Sequence, residues 1–290
     1  MDFNYNKLKV KSGEKVDLKE FSTKESAGYD KESAKDEIKK NIKELNEFQK
    51  MFYADDRYAL LVILQARDAA GKDGVIRHVM SGINPQGCRV HSFKTPTKIE
   101  LDHDYMWRHY EALPERGMIE IFNRSHYENV LVTKVHPEFI LNENLPEIDS
   151  VDKIDKKFWN NRYEAINAIE KHWVDCGIHV VKIFLHISKE EQKKRFLARL
   201  DTPEKNWKFS SADLVARAEW DKYDDAYEEM LEKTSTEYAP WYVVPADKKY
   251  FARVAVGDII LEEFKKMNLR YPQGESPEAL AKAREQLMNE

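Results

Sequence analysis

Tyr58-Ala-Leu-Leu-Val-Ile-Leu-Gln65, then Ala66-Arg-Asp-Ala-Ala-Gly-Lys-Asp-Gly74, then Val75-Ile-Arg-His-Val-Met-Ser-Gly82 is the stretch that decides the fold. The first part is an unbroken apolar run of strand length, which reads as a strand buried on both faces. The second is a short glycine-containing turn, and the third returns to helical spacing. Strand, tight loop and helix in that order aim the N–H groups of a helix N-terminus at the space above the strand, a geometry suited to an anion. Working outward, four more apolar runs follow, at 88–93, 117–122, 177–187 and 241–245, with helical stretches between them. The alternation predicts an α/β fold with a mostly parallel five-stranded sheet flanked by helices.

The loop matches the phosphate-loop pattern GxxxxGK[ST] at Gly71 and Lys72 but not at its ends, where Ala66 replaces the first glycine and Asp73 the Ser or Thr. The backbone of Ala69, Ala70, Gly71, Lys72, Asp73 and Gly74 is therefore the candidate phosphate cradle, with the Lys72 ammonium adding a point charge. The plain alternative is an ordinary strand-to-helix turn with a solvated lysine. Asp68 and Asp73 would repel phosphate unless a cation lies between, and Mg2+, which bridges carboxylates to phosphate oxygens, would resolve the conflict. Asp73 also reads as a helix first-turn residue favoured by the macrodipole, so Asp68 is the stronger metal candidate.

The run Gly117–Phe122 ends in Asn123, Arg124, Ser125, His126, Tyr127 and Glu128. A phosphate-loop enzyme often carries a magnesium-binding Asp at such a strand end. Here Asn123 stands in that place, and Glu128 is the nearest carboxylate that could compensate. Arg124 is either a surface charge or a bidentate phosphate contact. Further on, residues 189–208 hold seven basic against four acidic residues in a chain whose net charge is -5. Arg195 and Arg199 are four apart and share a helix face. With Lys205 and Lys208 in the turn-rich stretch beyond, they outline a basic lid over phosphates, or else a solvated charged helix.

Composition narrows the class. Hydrophobic residues at 42% and charged residues at 34% describe an ordinary globular chain, and the acidic balance argues against a protein that coats nucleic acid. Cys88 and Cys176 form no metal-type spacing and read as buried thiols in a reducing compartment. With no apolar leader and no run of about 18 apolar residues, the expectation is a cytoplasmic protein without a membrane span. Histidines such as His78, His109 and His126 lie on separate elements and read as structural. Trp107, Trp159, Trp173, Trp207, Trp220 and Trp241 read as core residues.

Longer blocks carry a resemblance. Leu64–Gly87, Phe93–Gly117, Ile121–Pro137, Arg195–Leu231 and Thr234–Val256 together resemble the polyphosphate kinase 2 family over roughly residues 30 to 265. The resemblance implies a P-loop kinase fold like that of thymidylate kinase, with a helical lid. It also implies Mg2+-dependent phosphoryl transfer between inorganic polyphosphate and AMP, ADP or ATP, with Mn2+ as an alternative metal. By position, Asp68 and Lys72 match the family's loop acid and lysine and Arg124 the arginine of its second motif. Arg195, Arg199, Lys205 and Lys208 match basic residues at the lid. The family's usual pattern has Asp at 123 and Asn at 128; Asn123 with Glu128 is typical of its class III, associated with phosphorylating both nucleoside mono- and diphosphates. Asp68, Asn123 and Glu128 are thus the candidate metal set. The expected organisation is an N-terminal arm over 1–30, a phosphotransferase domain over 31–270 with a lid at about 195–212, and a C-terminal tail or helix over 271–290. A homo-oligomer is expected, with neither nucleic acid nor membrane as partner. Two rival readings remain: an ATP-dependent nucleoside monophosphate kinase of the same fold, and a nucleotide- or polyphosphate-binding module without turnover.

Overall fold

The computed structural model describes residues 3–290. All five expected strands form: β1 Ala59–Ala66, β2 Cys88–Ser92, β3 Ile119–Asn123, β4 Ile178–His186 and β5 Trp241–Pro245. They make one parallel sheet in the order β2-β3-β1-β4-β5. In register, Val62 of β1 lies beside Ile121 of β3 and Val181 of β4. Every residue of β1 is buried, as its unbroken apolar run requires of a central parallel strand.

Successive β1 side chains point to opposite faces, so two cores result. Leu60, Val62 and Leu64 pack towards α1 (Lys31–Asp55), α2 (Lys72–Val79) and α10 (Lys249–Lys266). Leu61 and Ile63 pack on the other side with residues of α5 (Glu128–Val135), α6 (Lys156–Asp175) and α9 (Trp220–Thr234). Helix α1 starts at Asp30, whose carboxylate caps it in a reciprocal box with Ser33. It lies along α10, where Phe48 and Phe52 meet Phe264 at ring separations of 5.8 and 5.3 Å. Two single turns, α3 Lys98–Leu101 and α4 Trp107–Tyr110, lie between β2 and β3. Between β4 and β5 the chain runs through α7 (Lys189–Leu200), a 3-10 turn at Pro203–Lys208 and α8 (Ser211–Ala218) before reaching α9.

The arm is more than a polar lead-in. Leu8, Val10, Val16 and Leu18 are buried, and the Val10 N–H donates to the Trp241 carbonyl at 2.9 Å, covering the outer edge of β5. At the other end α11 (Pro277–Met288) is exposed throughout. Two readings are corrected. Cys176 is exposed and Cys88 half-buried, because Cys176 ends α6 at the rim instead of pointing inward. Trp207 is 78% exposed, since the 3-10 turn that carries it has no buried residue. No helix among the described residues is long and apolar enough to cross a membrane.

The C-terminal ends of β1, β3, β4 and β5 open on one side of the sheet. After β1 the chain turns to the β2 edge and after β3 it crosses to β4, so a crevice opens between the loops following β1 and β3. That divergence is where ligands settle in open α/β sheets.

Candidate active site

The loop after β1 is a cradle of backbone. Ala69 (φ 59) and Gly71 (φ 108) adopt left-handed conformations, and at Gly71 that φ strains any residue with a Cβ. The turn places Lys72 as the first residue of α2, and its Nζ reaches back to donate to the Ala66 carbonyl at 2.9 Å. The loop's carbonyls point outward into α7. Gln192 Nε2 donates to Asp68 O at 3.0 Å, and Arg195 Nη1 donates to Ala69 O (3.0 Å) and Ala70 O (2.6 Å). With carbonyls turned away and the first N–H groups of α2 free of intrahelical partners, the cradle presents donors to the crevice. Burial, reinforced by the neighbouring charge of Arg124, pushes the half-buried Lys72 ammonium below the ordinary lysine range.

The loop after β3 is built from side chains. Arg124 sits at φ 65, its N–H donates to Leu64 O at 3.1 Å, and its guanidinium forks between two carboxylates. Nη2 lies 3.0 Å from Asp68 Oδ1 and Nη1 lies 3.2 Å from Glu128 Oε2. Glu128 foremost, together with Asp68, holds Arg124 more firmly protonated against the opposing effect of burial. With its amide oriented to satisfy both neighbours, Gln65 donates to Glu128 Oε1 at 2.9 Å and accepts from Ser125 Oγ at 3.1 Å. Both oxygens of Glu128 are therefore engaged. The cation beside Asp68 is Arg124. Asp73, at the second position of α2, accepts from Asn123 Nδ2 at 3.0 Å and faces Lys208 Nζ at 3.8 Å.

The basic segment divides in two. Arg195 lies in the body of α7 and is 9% exposed. Besides the loop carbonyls, its Nη2 donates to Ala246 O (2.6 Å) and Asp247 O (3.0 Å), and its Nε to Glu191 (2.9 Å). Its guanidinium thus ties the loop after β1 to the end of β5. Beyond Leu200 the chain runs through the 3-10 turn and α8. From the end of α7, Arg199 Nη1 donates across to Lys208 O at 2.9 Å and to Asp213 Oδ2 at 3.3 Å. Burial first, and then the Asp68 charge, raises the Asp213 carboxyl above its ordinary value.

Two clefts meet at Arg124. One, of about 690 Å3, runs over the cradle and is walled by Lys72, Arg199, Lys205 and Lys208 together with Arg77, Lys94, Lys249 and Arg253. The other, of about 290 Å3, has apolar walls from Phe93, Pro96, Leu101, Val132 and Phe139, with Arg124 and Glu128 at one end. Tyr105 and Thr133 line this second cleft, while their Oη and Oγ1 atoms are buried beneath its surface and make no hydrogen bond. Burial pushes the Tyr105 hydroxyl up to about 12.

Sequence reasoning missed Arg77, Lys94, Lys249 and Arg253, because they come from three separate parts of the chain that only the fold brings together. The one local signal was Lys249 and Arg253, four apart at the start of the helix that follows β5. Asp73, Asn123 and the carboxylates of Asp68 and Glu128 make no protein-only metal cage: among the described residues no group of three or more His, Cys, Asp or Glu could hold an ion. A hard cation would need phosphate oxygens and water to complete its shell, which is how Mg2+ is usually held.

The family model described as Polyphosphate kinase 2 matches residues 28–272. An ADP-polyphosphate phosphotransferase of Rhodopseudomonas palustris is 50% identical over 274 residues, covering 94% of each chain. An AMP/ADP-polyphosphate phosphotransferase of Meiothermus ruber is 41% identical over 272 residues, covering 93% of this chain and 96% of its own. The crystal structure of Polyphosphate Kinase 2 from Arthrobacter aurescens TC1 superimposes with a TM-score of 0.88 at 39% identity, covering 98% of this chain and 95% of that one. The architecture is thus a P-loop kinase fold.

Proposed function

The chain belongs to the polyphosphate kinase 2 family, and from that premise we propose that it transfers the terminal phosphoryl group of inorganic polyphosphate to AMP and to ADP. The observation that carries this reading is the meeting of a long basic cleft and a short apolar-walled cleft at Arg124. A polyanion of many phosphates needs the first, lined by cationic side chains from α2, the lid and α10. A nucleoside needs the second, whose apolar walls suit the face of a base or ribose.

With the polyphosphate end over the cradle, Lys72 and Arg124 flank the terminal phosphorus. A phosphate oxygen of the nucleotide, entering from the apolar-walled cleft, forms the new P–O bond in line with the bridging P–O bond that breaks. The shortened polyphosphate leaves with the bonding electron pair, AMP becomes ADP, and ADP becomes ATP. Such a transfer rests on positioning and charge neutralisation and requires no intermediate on the enzyme. Lys72 and Arg124 neutralise charge on the transferred group, while Asp68 and Glu128 fix the Arg124 fork from either side. Asp68 and the exposed carboxylate of Asp73 fit as the protein's oxygen ligands for Mg2+, with Asn123 orienting Asp73 through its amide. Bound there, the ion would screen the phosphate charges against these carboxylates. Glu128, engaged by Arg124 and Gln65, fits an orienting role better than a metal-binding one. We place this reaction in the cytoplasm, the compartment of its nucleotide substrates.

Initial rates with polyphosphate, Mg2+ and either AMP or ADP, with ATP offered as a competing donor, test the reading. Turnover of both acceptors from polyphosphate is expected. Transfer from ATP to AMP with polyphosphate inert would overturn the donor assignment, and turnover of ADP alone would remove AMP. Glu128→Asn is expected to slow AMP more than ADP, because the shorter acceptor must reach deeper towards Arg124. A shift of about 1 Å there costs on the order of a hundredfold, and a parallel loss would make Glu128 a support of Arg124 alone.

A further inference from the structure

Beneath the loop after β3 lies a set of charged groups with no route to solvent. Lys182, in the middle of β4, and Glu170, on α6, are both 0% exposed, and Lys182 Nζ donates to Glu170 Oε2 at 2.6 Å. The other two ammonium protons go to Thr234 O at 2.6 Å and Tyr127 Oη at 2.9 Å. Tyr127 Oη in turn donates to Glu170 Oε1 at 2.7 Å, and His126 Nε2 meets the same oxygen at 3.2 Å. Burial pushes the His126 imidazole below its ordinary value, so the ring is neutral and its Nε2–H donates to the carboxylate. Tyr127 is further wedged edge-on against Trp241 at 4.8 Å.

This arrangement adds little stability over a well-packed apolar core, since desolvating two charges offsets most of their attraction. What it does is fix where a hydroxyl and an imidazole lie, and those groups belong to the two residues between Arg124 and Glu128. That stretch needs fixing. Arg124 holds a left-handed backbone that costs a residue with a Cβ about 1–2 kcal/mol, and such conformations persist only where the surroundings over-determine them. On the β1 side the loop is pinned by Leu64 O and Gln65. On the far side the chain leaving β2 reaches it at Asn123, whose carbonyl accepts from the Phe93 N–H at 3.2 Å, and beyond that point Glu170 with Lys182 anchors His126 and Tyr127.

Resting on the function proposed above, we propose that Lys182, Glu170 and Tyr127 are positioning residues for phosphoryl transfer. Their buried network holds residues 125–127 in place and thereby aims the Arg124 fork at the reacting phosphate. The network acts through Arg124 and touches no substrate.

Tyr127→Phe tests this with the loss of one oxygen. The ring stays in the core, and Lys182 keeps Glu170 and Thr234 O, so the variant is expected to stay folded, with a melting temperature lower by no more than about 5 °C for the bond lost at Glu170. Its kcat is expected to fall roughly tenfold or more while both KM values stay within about twofold, as for an interaction expressed in the transition state. In an Arg124→Ala background the same substitution is expected to cost nothing further. Glu170→Gln/Lys182→Met, which removes both charges together, is expected to keep its melting temperature yet lose kcat as Tyr127→Phe does. The proposal is overturned if Tyr127→Phe keeps wild-type kcat, if its loss multiplies with that of Arg124→Ala, or if kcat in the double variant follows stability alone. Full activity of Arg124→Ala would overturn the proposed function of Arg124 and this inference together. Low activity there beside a normal Tyr127→Phe would overturn only the inference.

Discussion

The loop after β1, residues 66–74, takes its shape from small residues and from one glycine at φ 108, and it presents backbone to the crevice. The loop after β3, residues 123–128, presents side chains, and its bulky residues are anchored by a lysine and a glutamate more than forty positions further along the chain. The two loops face each other across Asp68 and Arg124 at 3.0 Å. The comparison teaches that one wall of the site is a conformational preference and the other is a tertiary network. They should therefore fail differently: the first by loss of charge, the second by loss of aim.

The largest effect is expected at Lys72. Lys72→Ala removes a preorganised cation over the cradle, worth on the order of 3 kcal/mol or a hundredfold in kcat. The fold should survive, because the half-buried ammonium contributes one bond to Ala66 O. Steady-state rates and a melting curve check this, and near-normal activity in a stable variant would mean the loop cradles nothing.

Arg195→Met is the variant most able to break the comparison, since Arg195, with Gln192 beside it on α7, holds the backbone loop from far along the chain. It strips donors from the carbonyls of Ala69, Ala70, Ala246 and Asp247. Removing one member of such a buried set costs about 3 kcal/mol. A melting temperature lower by on the order of 5 °C, with kcat down roughly tenfold, is expected. Unchanged stability with weakened polyphosphate binding would instead make Arg195 a ligand contact, as its sequence position first suggested.

A pH titration sharpens the charge side of the contrast. Burial, then Arg124, holds the free-enzyme Lys72 below the usual lysine range, and a bound polyanion would raise it. The complex then carries more protons than the free enzyme, so affinity falls as pH rises through the free-enzyme pKa. The KM for polyphosphate should climb as pH rises towards the usual lysine range of about 10.4. Lys72→Arg, which stays charged throughout, should flatten that slope. A slope identical in wild type and variant would assign the titration to another group.

The smallest effect is expected at Ala69, whose φ of 59 is itself strained. Ala69→Gly relieves about 1 kcal/mol of backbone strain and returns part of it as unfolded-state entropy. The melting temperature should move by no more than about 2 °C and kcat by less than about threefold. A collapse of activity would show that the first loop also depends on side-chain contacts.

Legibility in the sequence follows the same division. β1, its turn and α2 could be read from residues 58–82 alone because apolar period, glycine and helix start are local signals, and the other strands followed from their apolar runs. Asp68, Lys72 and Arg124 could be proposed from the sequence because each lies in a loop that follows a predicted strand or opens the helix after it. The i,i+4 spacing of Arg195 with Arg199 described a shared face but not the loop carbonyls that Arg195 meets in the fold. Lys182 left a faint trace, a lone charge in the apolar run Ile178–His186, whose meaning depended on Glu170, Tyr127 and Thr234 arriving beside it.

What the sequence by itself determined is the order of strands and helices, the left-handed turn between β1 and α2, and the placing of Lys72 at the start of that helix. These rest on local conformational energies and on hydrophobic period, which a chain carries wherever it goes. What only the tertiary structure decided is the sheet order that sets Arg124 against Asp68 and the gathering of Arg77, Lys94, Lys249 and Arg253 into one basic cleft. It also decided that Lys182 and Glu170 stand under the loop after β3. Those arrangements depend on which surfaces are buried together, and a Coulomb interaction or a hydrogen bond has no value until that burial has fixed its distance.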